Sequence, residues 1–132
     1  MAASFDYVCM LGLAGLSEVH KGYSLGRVVT LLKTPVELGQ YAFFNNPIGF
    51  VTYALLSSGD ADKMASLSLD LSDPHNWRSG DNLWIVDAVF PDGGVMQAAR
   101  QLRRGPFKAF KSARWLRTHG TGTIKHLAEV RA

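Results

Sequence analysis

Residues 79–94 read SGDNLWIVDAVFPDGG, a run whose apolar centre, Leu83-Trp84-Ile85-Val86-Asp87-Ala88-Val89-Phe90, carries one acid and then breaks at Pro91-Asp92-Gly93-Gly94. A short apolar run bounded by turn residues predicts a strand in the core of a sheet. An ionised carboxylate buried there is costly unless it is paired or hydrogen-bonded. Asp87 therefore either faces water on an amphipathic or edge strand, or serves a partner. A histidine is the partner with chemical consequences, because a carboxylate that accepts from an imidazole fixes its tautomer and stabilises the imidazolium. The chain has four histidines.

Downstream of this strand, Val95, Ala98, Ala99 and Leu102 predict the buried side of a helix, with Arg100, Arg103 and Arg104 toward its outer side and Gly105-Pro106 as its stop. The following stretch, Phe107–Val130, alternates basic and apolar residues, with a last strand at Thr123–Leu127. Upstream, Gln40–Phe44 and Phe50–Leu56 flank Asn45-Asn46-Pro47-Ile48-Gly49 and predict a hairpin with a five-residue connection. Ser24–Leu32 fits a short helix with Ser24 as N-cap and Thr34-Pro35 as its end. Met64, Leu67 and Leu71 place an apolar stripe on a helix over roughly 61–71, and His75–Asp81 reads as a polar loop. Phe5, Val8, Cys9, Gly12, Leu13 and Leu16 recur at helical spacing and predict a first helix with that face on the core; His20 falls at or just past its end. The whole reads as one α+β domain over 1–132, a mostly antiparallel central sheet flanked by helices.

A chain of 132 residues that is 47% apolar can bury a real core. One cysteine, Cys9, excludes an internal disulfide, and no clustered His/Cys spacing suggests a metal. The apolar run Val8–Leu16 follows Asp6 with no Lys or Arg before it, and nothing else is long enough to span a bilayer; the expectation is a cytoplasmic protein. Charge is segregated. Residues 100–132 hold nine basic residues against one acid, and residues 1–99 hold five against ten, giving balances of +8 and −5. A basic end on an acidic body implies an acidic partner, and no nucleic-acid motif accompanies the charge.

Ser17-Glu18-Val19-His20, Gln40-Tyr41-Ala42, Ser79-Gly80-Asp81, Trp84, Val86-Asp87, Pro91, Gly93 and Phe110-Lys111-Ser112-Ala113-Arg114 stand in an order that resembles the RTX toxin-activating lysine acyltransferases, the haemolysin-activating family. The set running from Ser79 to Gly93 is its most specific part. The resemblance implies a divergent GNAT-like acyltransferase fold and transfer of a fatty acyl group from acyl-acyl carrier protein to internal lysines of an RTX-type protoxin. It implies that His20 and Asp87 are the catalytic pair, His20 as general base and Asp87 as its orienter. Ser17 would contact the substrate, and Arg104, Lys111 and Arg114 the acidic carrier. No cofactor is bound on this reading, and two copies pair by analogy with the family. Pro91-Asp92-Gly93-Gly94 would occupy the place where GNAT enzymes wrap a coenzyme A pyrophosphate; Asp92 there repels a phosphate and favours the carrier-bound donor. The second reading is a catalytically inactive relative that binds the carrier or a toxin-like partner.

Overall fold

The computed structural model describes residues 2–16, 22–118 and 124–131, with side chains from 5–16 and 22–115. In chain order the elements are α1 (Ala2–Ala14), α2 (Leu25–Leu38), β1 (Tyr41–Asn45), β2 (Ile48–Leu56), α3 (Ser58–Ala65), a short 3-10 turn (Pro74–Trp77), β3 (Asn82–Val89), α4 (Val95–Arg104), β4 (Ser112–Thr118) and β5 (Ile124–Arg131). The strands form one five-stranded sheet in the order β1-β2-β3-β4-β5. Each neighbouring pair is antiparallel except β3 and β4, which run parallel with α4 as the crossover between them. The expected α+β architecture with a mostly antiparallel sheet and flanking helices is present, and the one parallel pair makes the sheet mixed. That pair arises because the basic stretch after α4 contains two strands where one was expected.

Side-chain alternation along β2 divides the core. Phe50 lies on the face covered by α1 and α2, where it packs with Met10, Leu13, Ala14, Val28, Leu32, Val36 and Val89. The same face continues through Ala54 and Leu56 to Ala61, Met64, Trp77 and Trp84. Val51 points the other way, into a cluster with Leu83, Leu102 and Phe107 beneath α4. Every second residue of β2 is thus committed to one layer or the other, which fixes its register.

Four local expectations are corrected. In α1 the buried residues are Met10, Leu13 and Ala14, while Phe5, Val8 and Leu16 are 69%, 68% and 67% exposed. The helix is apolar nearly all round, so spacing alone does not select its inner face. Ser24 does cap α2, accepting from the Arg27 N–H at 3.1 Å, but the helix runs past Pro35 to a left-handed cap at Gly39. Burial of Pro35 and Val36 beside Leu32 carries it through the proline. The helix expected over 61–71 is α3, which starts earlier, capped by Ser57, and ends at Ala65; Leu67 has φ 60° and faces solvent. The hairpin turns on Asn46-Pro47 alone, since Asn45 already pairs with Ile48.

Two tyrosines tie α1 down. The Tyr7 hydroxyl donates to the Val29 carbonyl at 3.1 Å, and the Tyr41 hydroxyl to the Asp6 carboxylate at 2.8 Å. Burial raises both phenols above their ordinary value of 10.0, with the negative charges of Glu37 and Asp6 adding to it, and burial likewise raises Tyr53. A raised phenol holds its proton more tightly in the folded state than in the unfolded one. That stability is complete below pH 10.0 and is lost as pH rises through the folded values. The urea midpoint is expected to fall as pH rises above 10.0, more steeply in the wild type than in Tyr7→Phe or Tyr41→Phe.

Candidate active site

The apolar strand with the single acid is β3, and its register is interrupted at Asp87. Thr52 of β2 stands opposite Asp87, but the next residue, Tyr53, stands opposite Ile85, so β3 carries an extra residue at this point. Such a bulge bends a strand and re-aims the side chain beside it. Asp87 is half-buried and directed to the same face as Thr52, the face that α1 and α2 cover. The parallel pairing with β4 spans only Leu83–Ile85 against Ala113–Trp115. Among the described residues no strand continues that ladder along Val86–Val89, so the two strands part just where Asp87 sits. The acid is therefore neither in a sealed core nor on a plain outer edge; it stands at the mouth of a gap between two strands.

Thr52 Oγ1, opposite Asp87, is buried and makes no hydrogen bond, and neither does the buried Trp84 Nε1 farther up the strand. A buried hydroxyl left unpaired costs about 1–3 kcal/mol. Thr52→Val is thus expected to stabilise the fold by roughly 1 kcal/mol in a urea titration. Unchanged or lowered stability would mean that the hydroxyl is satisfied in solution, as by a buried water.

The other motif residues build the frame. Gln40 follows the Gly39 cap and is 3% exposed. Its amide donates to the Tyr53 carbonyl at 2.9 Å and to the Trp77 carbonyl at 2.8 Å, and its oxygen accepts from Arg78 Nε at 2.8 Å. Arg78 also donates to the Leu38 carbonyl at 2.8 Å. One side chain thus joins the end of α2, the middle of β2 and the turn before β3. Trp77, expected in a polar loop, is fully buried, with its indole N–H on the Leu71 carbonyl at 2.9 Å. Ser79 Oγ accepts from the Ser57 N–H at 3.0 Å, and the Ser79 and Gly80 N–H groups both donate to the Leu55 carbonyl. A Cβ on Gly80 would lie 2.6 Å from Ser57 N and 2.7 Å from the Leu56 carbonyl, backbone that cannot yield. The Ser79-Gly80 motif thus seats β3 against β2, upstream of Asp87.

The residues expected at the site are divided. His20 and Ser17 lie outside the described residues. Arg114 on β4 is half-buried and stands in register with Trp84, on the Asp87 side of the sheet. Arg104, at the end of α4, and Lys111, just before β4, are exposed, and α4 covers the opposite face. The sheet itself separates Arg104 from Asp87 and Arg114. Thr52 and the pairing of Gln40 with Arg78 were missed by sequence reasoning, in which Gln40 stood only as part of the Gln40-Tyr41-Ala42 motif. Among the described residues no three His, Cys, Asp or Glu side chains gather to hold a metal ion, and no helix is long and apolar enough to cross a membrane.

The family model for RTX toxin acyltransferases matches residues 8–131. Among curated proteins the chain is similar to the lysine-acyltransferase RtxC of Vibrio cholerae, with 27% identity over 69% of this chain and 61% of the relative. It is 28% identical to the leukotoxin-activating lysine-acyltransferase LtxC of Aggregatibacter actinomycetemcomitans over 82% of this chain and 66% of the relative. It is 26% identical to the protein-lysine palmitoyltransferase CyaC of Bordetella bronchiseptica over 91% of this chain and 69% of the relative. The chain thus matches somewhat under two thirds of the length of the first two relatives.

Proposed function

Because the chain belongs to the RTX toxin acyltransferase family, we propose that it is a protein-lysine fatty acyltransferase acting on an RTX-type protoxin or a related lysine-bearing protein. The observation that carries this reading is Asp87, an acid on an otherwise apolar strand, aimed by a bulge to the mouth of the gap between β3 and β4. The acyl donor is an acyl-acyl carrier protein, whose acidity complements the +8 balance of residues 100–132. The parallel β3–α4–β4 unit with its parting strands supports a GNAT-like fold. Pairing of two copies fits the exposed apolar stripe of Phe5 and Val8 on α1, and a cytoplasmic location fits a carrier-bound donor.

The chemistry follows from the groups in play. A lysine ammonium is no nucleophile until it loses a proton. On this reading His20 accepts that proton as the amine nitrogen attacks the thioester carbon, and Asp87 orients the imidazole and stabilises its charged form. The new N–C bond forms, the C–S bond breaks, and the proton returns to the departing thiolate, leaving an amide and a free thiol. Arg114, on the same face as Asp87, is suited to an anionic group of the donor. Ser17 completes the contacts to substrate.

The test is thiol release from an acyl-carrier thioester mixed with the protein and an RTX protoxin. Release that requires the protoxin, and that rises as pH passes through the range where histidine loses its proton, supports the reading. Saturable carrier binding without release would replace it with the inactive, carrier-binding relative.

A further inference from the structure

On the face that β2 turns toward α1 and α2, Thr52 stands between Phe50 and Ala54, with Leu56 beyond. Thr52 is itself 0% exposed, and its hydroxyl has no hydrogen-bond partner among the described residues. A valine would bring the same branching at Cβ with no polar group to desolvate. Packing therefore accounts for the branched shape at this position and not for the oxygen. The group that the oxygen can serve stands opposite. Thr52 and Asp87 are Cα partners across β2 and β3, at the last pair before the register shifts. Side chains placed opposite each other in an antiparallel pair have Cβ atoms about 4.5–5.5 Å apart. A threonine hydroxyl is one bond from its Cβ and an aspartate oxygen two bonds from its own, so a change of rotamer can close a hydrogen bond between them. Of the other side chains around Thr52 on this face of β2 and β3, Phe50, Ala54, Val86 and Val89 offer no acceptor, and Trp84 offers only a donor. The Asp87 carboxylate accepts at two oxygens, so it can take a hydroxyl beside another partner.

We propose that Thr52 is a positioning residue for the transfer reaction: its hydroxyl turns to donate to the Asp87 carboxylate while that carboxylate faces the charged His20, and so holds the acid in the orientation that stabilises the charge. This rests on the reading of Asp87 as the orienter of the general base. In the free protein the hydroxyl lacks that bond, at a cost to the stability of the fold. During transfer the same hydroxyl becomes a donor to an ionised group, which is the stronger kind of hydrogen bond. Thr52 is closed off from solvent between the sheet and the helices, so it touches no substrate and acts on the reaction through Asp87.

The test measures kcat and KM for acylation of an RTX protoxin from an acyl-carrier thioester, together with the urea midpoint. The proteins are the wild type, Thr52→Val, Thr52→Ser, Asp87→Asn and the double variant Thr52→Val/Asp87→Asn. Thr52→Val is expected to raise the urea midpoint yet lower kcat by about tenfold to a hundredfold, the worth of one hydrogen bond to a charged group, with KM for the donor unchanged. Thr52→Ser keeps the hydroxyl and loses a methyl group, so it is expected to lower the midpoint and leave kcat close to that of the wild type. The two variants then stand in opposite order by stability and by rate, which a purely structural role does not produce. Placed on Asp87→Asn, the Thr52→Val change is expected to cause no further loss of kcat, since the acceptor it served is already gone. A wild-type kcat in Thr52→Val, a Thr52→Ser protein as slow as Thr52→Val, or a full further loss in the double variant would overturn the positioning role. Absence of transfer by the wild type itself would overturn the acyltransferase reading, and the role of Thr52 with it.

Discussion

Asp87→Asn is expected to lower the rate of lysine acylation by about 10²–10⁴-fold while leaving the protein folded. The substitution keeps the size and shape of the side chain and removes its charge. On the proposed pairing with His20, an amide can donate to the imidazole where the carboxylate accepts, which favours the wrong tautomer, and it does not stabilise the imidazolium. The position is half-buried at a bulge, with Thr52 opposite and the gap between β3 and β4 beside it. An amide there keeps its contact with water, so the loss should appear in the rate of transfer and hardly at all in the unfolding midpoint. A rate within about twofold of wild type, well under the contribution of one general base, would make Asp87 an ordinary strand acid. A variant that unfolds would instead assign it to the frame.

The largest expected effect on stability belongs to Gln40. Gln40→Leu would strand the carbonyls of Tyr53 and Trp77 and leave Arg78 Nε facing an alkyl group in a closed space. Each buried polar group left unpaired costs about 1–3 kcal/mol, so a total loss of roughly 3 kcal/mol or more is expected from urea titration. Gln40 and Arg78 act as a unit, and Arg78→Met is expected to make the Gln40→Leu loss smaller than it is alone. A loss below about 1 kcal/mol would show that water takes over these bonds at little cost.

The sequence was most legible where one signal acted alone. Ser24 as a cap, the β1–β2 hairpin, the apolar β3 with its single acid, and α4 ending at Gly105 all follow from local pattern. It was least legible where packing overrode pattern. Pro35 reads as a stop but is held inside α2 by its burial, and Leu67 reads as a core position but turns left-handed into solvent. β4 went unread although its alternation of basic and apolar residues was visible, because only the pairing beside β3 shows that the alternation belongs to a strand. At the candidate site, the motif order made Asp87 visible; the bulge and the parting strands that aim it are properties of pairing, which no single segment displays. Gln40 belongs to the same class, since its three partners are distant in sequence.

The most direct measurement is intact-mass spectrometry of an RTX protoxin incubated with an acyl-carrier thioester and this protein, followed by mapping of the modified residue. The account predicts a gain of one acyl group on an internal lysine with the wild type, and none with His20→Ala or Asp87→Asn. An unmodified protoxin with the wild-type protein, or an equal gain with His20→Ala, would contradict it.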